Sequence, residues 1–158
     1  MKKVKFIMDK ALEVGALISF LGMIAVVSIQ VFARFALPKA PSWTEEAARI
    51  FFIYTASFAG GLAIKTKAFV YVDTFVNLLP AKIQKILSIV IYLVIAVFMG
   101  IVVYQSIGYI RIGVIQSSPA LRIPMSYVFT STFVMSFFIG LYSLIELGKT
   151  LISGGGKK

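Results

Sequence analysis

The sequence predicts an all-α integral membrane protein with four transmembrane helices and a short interfacial helix between spans two and three. Three observations predict it. Of 158 residues, 59% are hydrophobic and only 14% charged, outside the range of soluble domains. The apolar residues gather in stretches close to the ~20 residues that a helix needs to cross about 30 Å of hydrocarbon. The charged residues lie between those stretches. A single membrane domain over 1–150 follows, with spans at about 12–35, 44–64, 84–110 and 123–147, an interfacial helix at about 67–79, and a flexible tail at 151–158.

Span one contains VGALISFLGMIAVVSIQVF, 19 residues without a charge, with Gln30 its one strongly polar side chain. The preceding MKKVKF invites a signal-peptide reading, but the apolar stretch exceeds a signal core and Arg34 interrupts the small-residue cleavage pattern. Span two is shorter, with 15 residues between Arg49 and Lys65. Its helix is expected to start near Ser42 or Thr44, either of which suits an N-cap with Glu45 and Glu46 in the first turn, and Pro38 and Pro41 mark the turn before it. Span three holds 25 charge-free residues between Lys85 and Arg111. Span four lies between Arg122 and Glu146, with Pro124 where a helix tolerates a missing N–H. In 67–79, Ala68, Phe69, Val72, Phe75, Val76 and Leu79 recur at helical spacing, the pattern of a helix lying flat on a membrane.

Four spans place both termini and the loop after span two on one side, which then carries eleven lysines and no arginine. The other side carries Arg34, Lys39, Arg49, Arg111 and Arg122. The positive-inside rule assigns the lysine side, and both termini, to the cytoplasm. Lysine suits lipid headgroups, whereas arginine offers a planar fork to carboxylates, so the outer face reads as a docking surface. The net charge of +10 does not indicate nucleic acid, because the lysines form no basic patch with interleaved aromatics.

With no His and no Cys, haem, zinc and iron–sulfur ligation have no ligands, and no cofactor or catalytic site is expected. The span centres contain no ionisable residue, which argues against a carrier that works alone. Gln30, Gln105, Thr130, Ser131 and Thr132 are read as helix-to-helix hydrogen-bonding groups. Small residues at four-residue spacing predict packing ridges: Gly15 and Ser19, Ala56 with Gly60 and Ser57 with Gly61, Gly100, and Gly140. Arg34, Glu45, Glu46 and Arg49 form the densest charge cluster at a boundary, with a Glu46–Arg49 pair expected from spacing and Trp43 as interface anchor. Arg111 and Arg122 are read as contacts to an acidic external protein. The alternative is a small oligomeric exporter or channel built around a membrane glutamate, for which Glu13 is the one candidate, at the boundary beside Lys10.

The segments Gln30-Val-Phe-Ala-Arg34-Phe, Trp43-Thr-Glu45-Glu46-Ala-Ala-Arg49, Gly60/Gly61, Lys65-x-Lys67, Val70-x-Val72-Asp73, Leu79-Pro80, Ser118-Pro119-Ala120-Leu121 and Ile123-Pro124, in this order, resemble the small membrane (Q) subunit of tripartite ATP-independent periplasmic (TRAP) transporters. Phe69 stands where that family often has a histidine, so no role of such a histidine carries over. The resemblance implies a bacterial inner-membrane subunit that accompanies a large multi-span carrier and a periplasmic substrate-binding protein. It also implies that sodium and the organic-acid substrate, a carboxylate or sialic acid, are handled by the carrier.

Overall fold

The computed structural model describes residues 2–37, 41–66 and 80–152. They form four helices, α1 (Lys2–Ala36), α2 (Ser42–Thr66), α3 (Ala81–Ile115) and α4 (Ser126–Ile152), each long and apolar enough to cross a membrane. The expected interfacial helix at 67–79, Lys39 and the end of the tail lie outside the described residues.

The helices outrun the apolar stretches that signalled them. α1 begins ten residues before the span's predicted edge, because Lys2 to Ala11 are compatible with helix and nothing breaks the hydrogen-bond ladder. α4 begins at Ser126 and not at Ile123, since Pro124 is held in an antiparallel bridge with Ser117. At the start of α2, Thr44 is buried and its hydroxyl donates to the Pro41 carbonyl at 2.8 Å, so it closes the preceding turn and does not cap the helix amides.

α1 packs on α2, α2 on α4, and α4 on α3, an arrangement that runs α1–α2–α4–α3. Bulky side chains of one helix seat over glycines of the next, as expected where lipid removes the hydrophobic drive and close approach must hold helices together. A Cβ at Gly15 would lie 3.1 Å from Phe58, and one at Gly61 would lie 2.8 Å from the Phe138 Cβ. Gly60 faces Ile139, and Gly140 faces Met99. Ser19 and Ser57 are buried in the same seams. Gly22 against Phe51 and Gly113 against Ser126 and Phe129 are two further close approaches that spacing alone did not select. Ala56 is exposed, and a Cβ at Gly100 would meet nothing within 4 Å.

Four Ser and Thr hydroxyls inside α2 and α4 bond within their own helices. Thr55 donates to Phe51 O, Ser57 to Ile53 O, Thr130 to Ser126 O and Ser131 to Val128 O. The expected helix-to-helix role of Thr130 and Ser131 is therefore replaced by back-bonding, which satisfies the hydroxyl without a second helix. A cross-helix tie between α2 and α4 comes from Tyr54, whose hydroxyl donates to the Tyr127 carbonyl at 2.6 Å.

Candidate functional site

Charged side chains among the described residues fall at the two ends of the array and leave its middle apolar. Each end has its own construction.

At the end bearing the termini, Asp9 of α1 lies buried between α2 and α4. The Lys65 Nζ approaches its carboxylate at 2.7 Å, and the Tyr142 hydroxyl donates to it. Tyr142 is itself fully buried beside Leu12 and Ile64. One turn further along α4, Glu146 is buried and paired with Lys149, and Lys5 of α1 stands beside that pair. A carboxylate buried at a helix junction costs free energy unless it is paired and hydrogen-bonded, and Asp9 has both. Three helices are thus fixed by one acid that the sequence reading passed over. Its signal was spacing: Asp9, Leu12, Gly15 and Ser19 form one ridge that continues the small-residue seam backward.

Glu13 pairs with Lys10 at 3.8 Å on an exposed face, with side chains more than half accessible. It lacks the enclosure by neighbouring helices that an embedded ion-binding carboxylate has.

At the opposite end, residues 116–125 join α3 to α4 in a loop closed by its own backbone. Ser118 N donates to Ile123 O at 2.9 Å, Arg122 N to Ser118 O at 3.1 Å and Met125 N to Gln116 O at 2.8 Å. The expected Glu46–Arg49 pair is not formed. The Glu46 carboxylate reaches across from α2 and accepts from the backbone amides of Ala120 and Leu121, both at 2.9 Å and both to the same oxygen. The buried Ser118 side chain lies beside it. Two converging amides outcompete an exposed guanidinium, because charge-assisted hydrogen bonds exceed a surface ion pair. Arg49 pairs instead with Glu45, at 3.8 Å, with both side chains about 70% exposed.

Arg122, next to the clamped amides, has φ 55, the left-handed region that costs an L-residue with a side chain on the order of 1 kcal/mol. Its side chain is exposed, as are those of Arg34 and Arg111, and none of the three pairs with an acid among the described residues. Trp43 is partly exposed at the same end, at the start of α2. The structure thus separates the predicted cluster into an exposed Glu45–Arg49 pair, a Glu46 loop clamp and Arg34 without a paired acid, as Arg111 and Arg122 also stand among the described residues.

No cluster of His, Cys, Asp or Glu able to hold a metal is present among the described residues.

Comparison with known proteins agrees with this architecture. Residues 23–152 match the family described as "Tripartite ATP-independent periplasmic transporters, DctQ component". The chain is 30% identical over 149 residues to a protein of Haemophilus influenzae described as a TRAP transporter small permease protein, covering 92% of this chain and 90% of that one. It is 30% identical over 109 residues to the sialic acid TRAP transporter small permease protein SiaQ of Vibrio cholerae, covering 69% of this chain and 62% of that one. It is also 34% identical over 87 residues, 54% of this chain, to the isethionate TRAP transporter permease protein DctMQ of Oleidesulfovibrio alaskensis, where the match spans 14% of the relative. A match covering most of the chain, with a near full-length relative, places it in one group: the chain belongs to the DctQ component family of the tripartite ATP-independent periplasmic transporters.

Proposed function

We propose that this chain is the small, non-catalytic scaffold subunit of a sodium-driven symporter that takes up an organic acid, such as a carboxylate or sialic acid, across the bacterial inner membrane. It braces a large multi-span carrier subunit and helps dock a periplasmic substrate-binding protein. The observation that carries the reading is the placement of charge: between Glu13 and Arg34, Arg49 and Lys65, and Lys85 and Arg111 the helices hold no ionisable acid or base. Ion coupling within a membrane uses such groups, so it falls to a partner. Broad apolar faces also support the reading. Val90, Val94, Val97 and Ile101 of α3 and Leu17, Leu21 and Ile24 of α1 are left exposed by the chain's own packing, available to lipid or to a carrier.

The lysine-rich end, with both termini, is cytoplasmic in this reading, and the arginine-bearing end faces the periplasm. The relative named DctMQ and the sialic acid relatives suggest the carrier partner and the substrate class. The test is co-purification of this chain with the large subunit in mild detergent, followed by sodium-driven uptake in liposomes with the binding protein added. Uptake is expected to require all three proteins. Full uptake without this chain would overturn the scaffold role.

A further inference from the structure

Arg34 and Arg111 project from helices, so their backbones hold them in place. Arg122 projects from a loop, and its direction is only as defined as the loop is. The loop's backbone bonds close it on itself but do not fix it against the rest of the protein, because 116–125 is covalently joined only to α3 and α4. What fixes it against α2 is the Glu46 carboxylate, which takes the Ala120 and Leu121 amides immediately before Arg122. A positive φ at a residue with a side chain persists only where its surroundings over-determine it. Here the surroundings are that clamp on one side and the Ser117–Pro124 bridge on the other.

The clamp has a second effect. Glu45 and Glu46 are the acids at this end among the described residues, and both are engaged, one by Arg49 and one by backbone amides. Arg122 is consequently left without a paired acid among the described residues and exposed to solvent. A guanidinium binds a carboxylate through a planar fork, so its orientation decides the bond, and a rigid mount spares the ordering cost at docking. The surface that suits it is a carboxylate-bearing face of a soluble protein.

We propose that Glu46 is a positioning residue: by clamping the 119–121 backbone it holds Arg122 in the one orientation that the acidic face of the docking protein meets. The inference rests on the docking role proposed above, and the experiment separates the two. The full transporter is reconstituted in liposomes, and uptake is measured against concentration of its soluble binding protein at low and high salt. Hydrogen exchange at the Ala120 and Leu121 amides is followed in parallel in the same complex.

Glu46→Gln retains an oxygen that can accept from both amides but removes the charge. Glu46→Asp retains the charge but is one methylene too short to reach. Positioning predicts that Glu46→Asp accelerates exchange at 120–121 and raises the half-saturating binding-protein concentration about tenfold with the maximal rate unchanged, while Glu46→Gln stays within about threefold of the parent. Arg122→Ala should raise the same concentration by a similar factor and flatten its salt dependence. If Glu46→Asp frees the amides yet leaves half-saturation at the parent value while Arg122→Ala raises it, positioning by Glu46 is wrong and the docking role stands. If Glu46→Gln improves half-saturation and Glu46→Asp does nothing, Glu46 acts by charge repulsion, which also overturns the proposal. If Arg122→Ala changes neither half-saturation nor its salt dependence, the docking role of this loop falls with it. Should Glu46→Asp prevent assembly with the carrier, Arg122→Asn, which tolerates positive φ but lacks the fork, decides instead: parental half-saturation refutes the oriented guanidinium, and a tenfold rise supports it.

Discussion

Removing the Tyr142 hydroxyl should loosen the end of the array that bears the termini, and the structure sets how much. The hydroxyl donates to Asp9, whose side chain is 13% exposed, while the second donor, Lys65, is 31% exposed. In Tyr142→Phe the carboxylate keeps Lys65, so the loss is one interhelical hydrogen bond and not a stranded charge. Such bonds in membrane proteins are worth about 0.6 kcal/mol on average and about 1.7 at most. An ionised acceptor and a fully buried donor place this one near the top, at about 1.5 kcal/mol. Asp9→Ala should cost more, about 2–3 kcal/mol, because it strands both donors, although Lys65 can turn toward the headgroups and recover part of it. The pair is best read as a double-mutant cycle of Asp9→Ala and Tyr142→Phe, using reversible unfolding of the full-length chain in mixed detergent micelles followed by circular dichroism. A coupling of about 1 to 1.5 kcal/mol is expected. A coupling below about 0.5 kcal/mol, the level at which independent sites add, would refute the claim that Asp9 joins α1 to α4 through this hydroxyl.

The glycine seams predict a rank order in the same assay. Gly113→Ala, whose Cβ would lie 2.6 Å from the Ser126 amide nitrogen, and Gly61→Ala, 2.8 Å from the Phe138 Cβ, should each destabilise by about 1–3 kcal/mol, whereas Gly100→Ala, facing open space, should be neutral or stabilise by up to about 1 kcal/mol. Equal effects at Gly61 and Gly100 would contradict the packing. Arg49→Ala should change stability by less than about 0.5 kcal/mol, since its pair with Glu45 is mostly exposed at 3.8 Å. A larger loss would give Arg49 a partner beyond Glu45.

The four spans were legible because hydropathy is a property of contiguous sequence, and a bilayer imposes its length on it. The cross-helix contacts were legible only where chemistry repeats along one helix: Gly15, Gly60, Gly61 and Gly140 lie in seams, but Gly100, drawn from the same spacing rule, does not. Spacing shows that a face is narrow and leaves open what approaches it. The pairings resisted for a related reason. Glu45 and Glu46 stand equally well placed for Arg49 along the helix, and what separates them is a pair of amides 74 and 75 residues away. Asp9 was overlooked because it precedes the first apolar stretch, where a charge ordinarily belongs to water. Only the return of α2 and α4 to the same level turns it into an interior group. Ile123-Pro124 reads as a helix start until the Ser117–Pro124 bridge across the loop is known.

The back-bonded hydroxyls of α2 and α4 carry a consequence for leakage. Proton hopping needs neighbouring oxygens that hand on a hydrogen from one helix to the next, and here Thr55, Ser57, Thr130 and Ser131 each spend theirs on a carbonyl of their own helix, three or four residues back. Between Asp9 at one surface and Glu46 at the other, these side chains form no relay. Along α2 and α4, these four hydroxyls satisfy themselves locally and offer no proton path from one to the next.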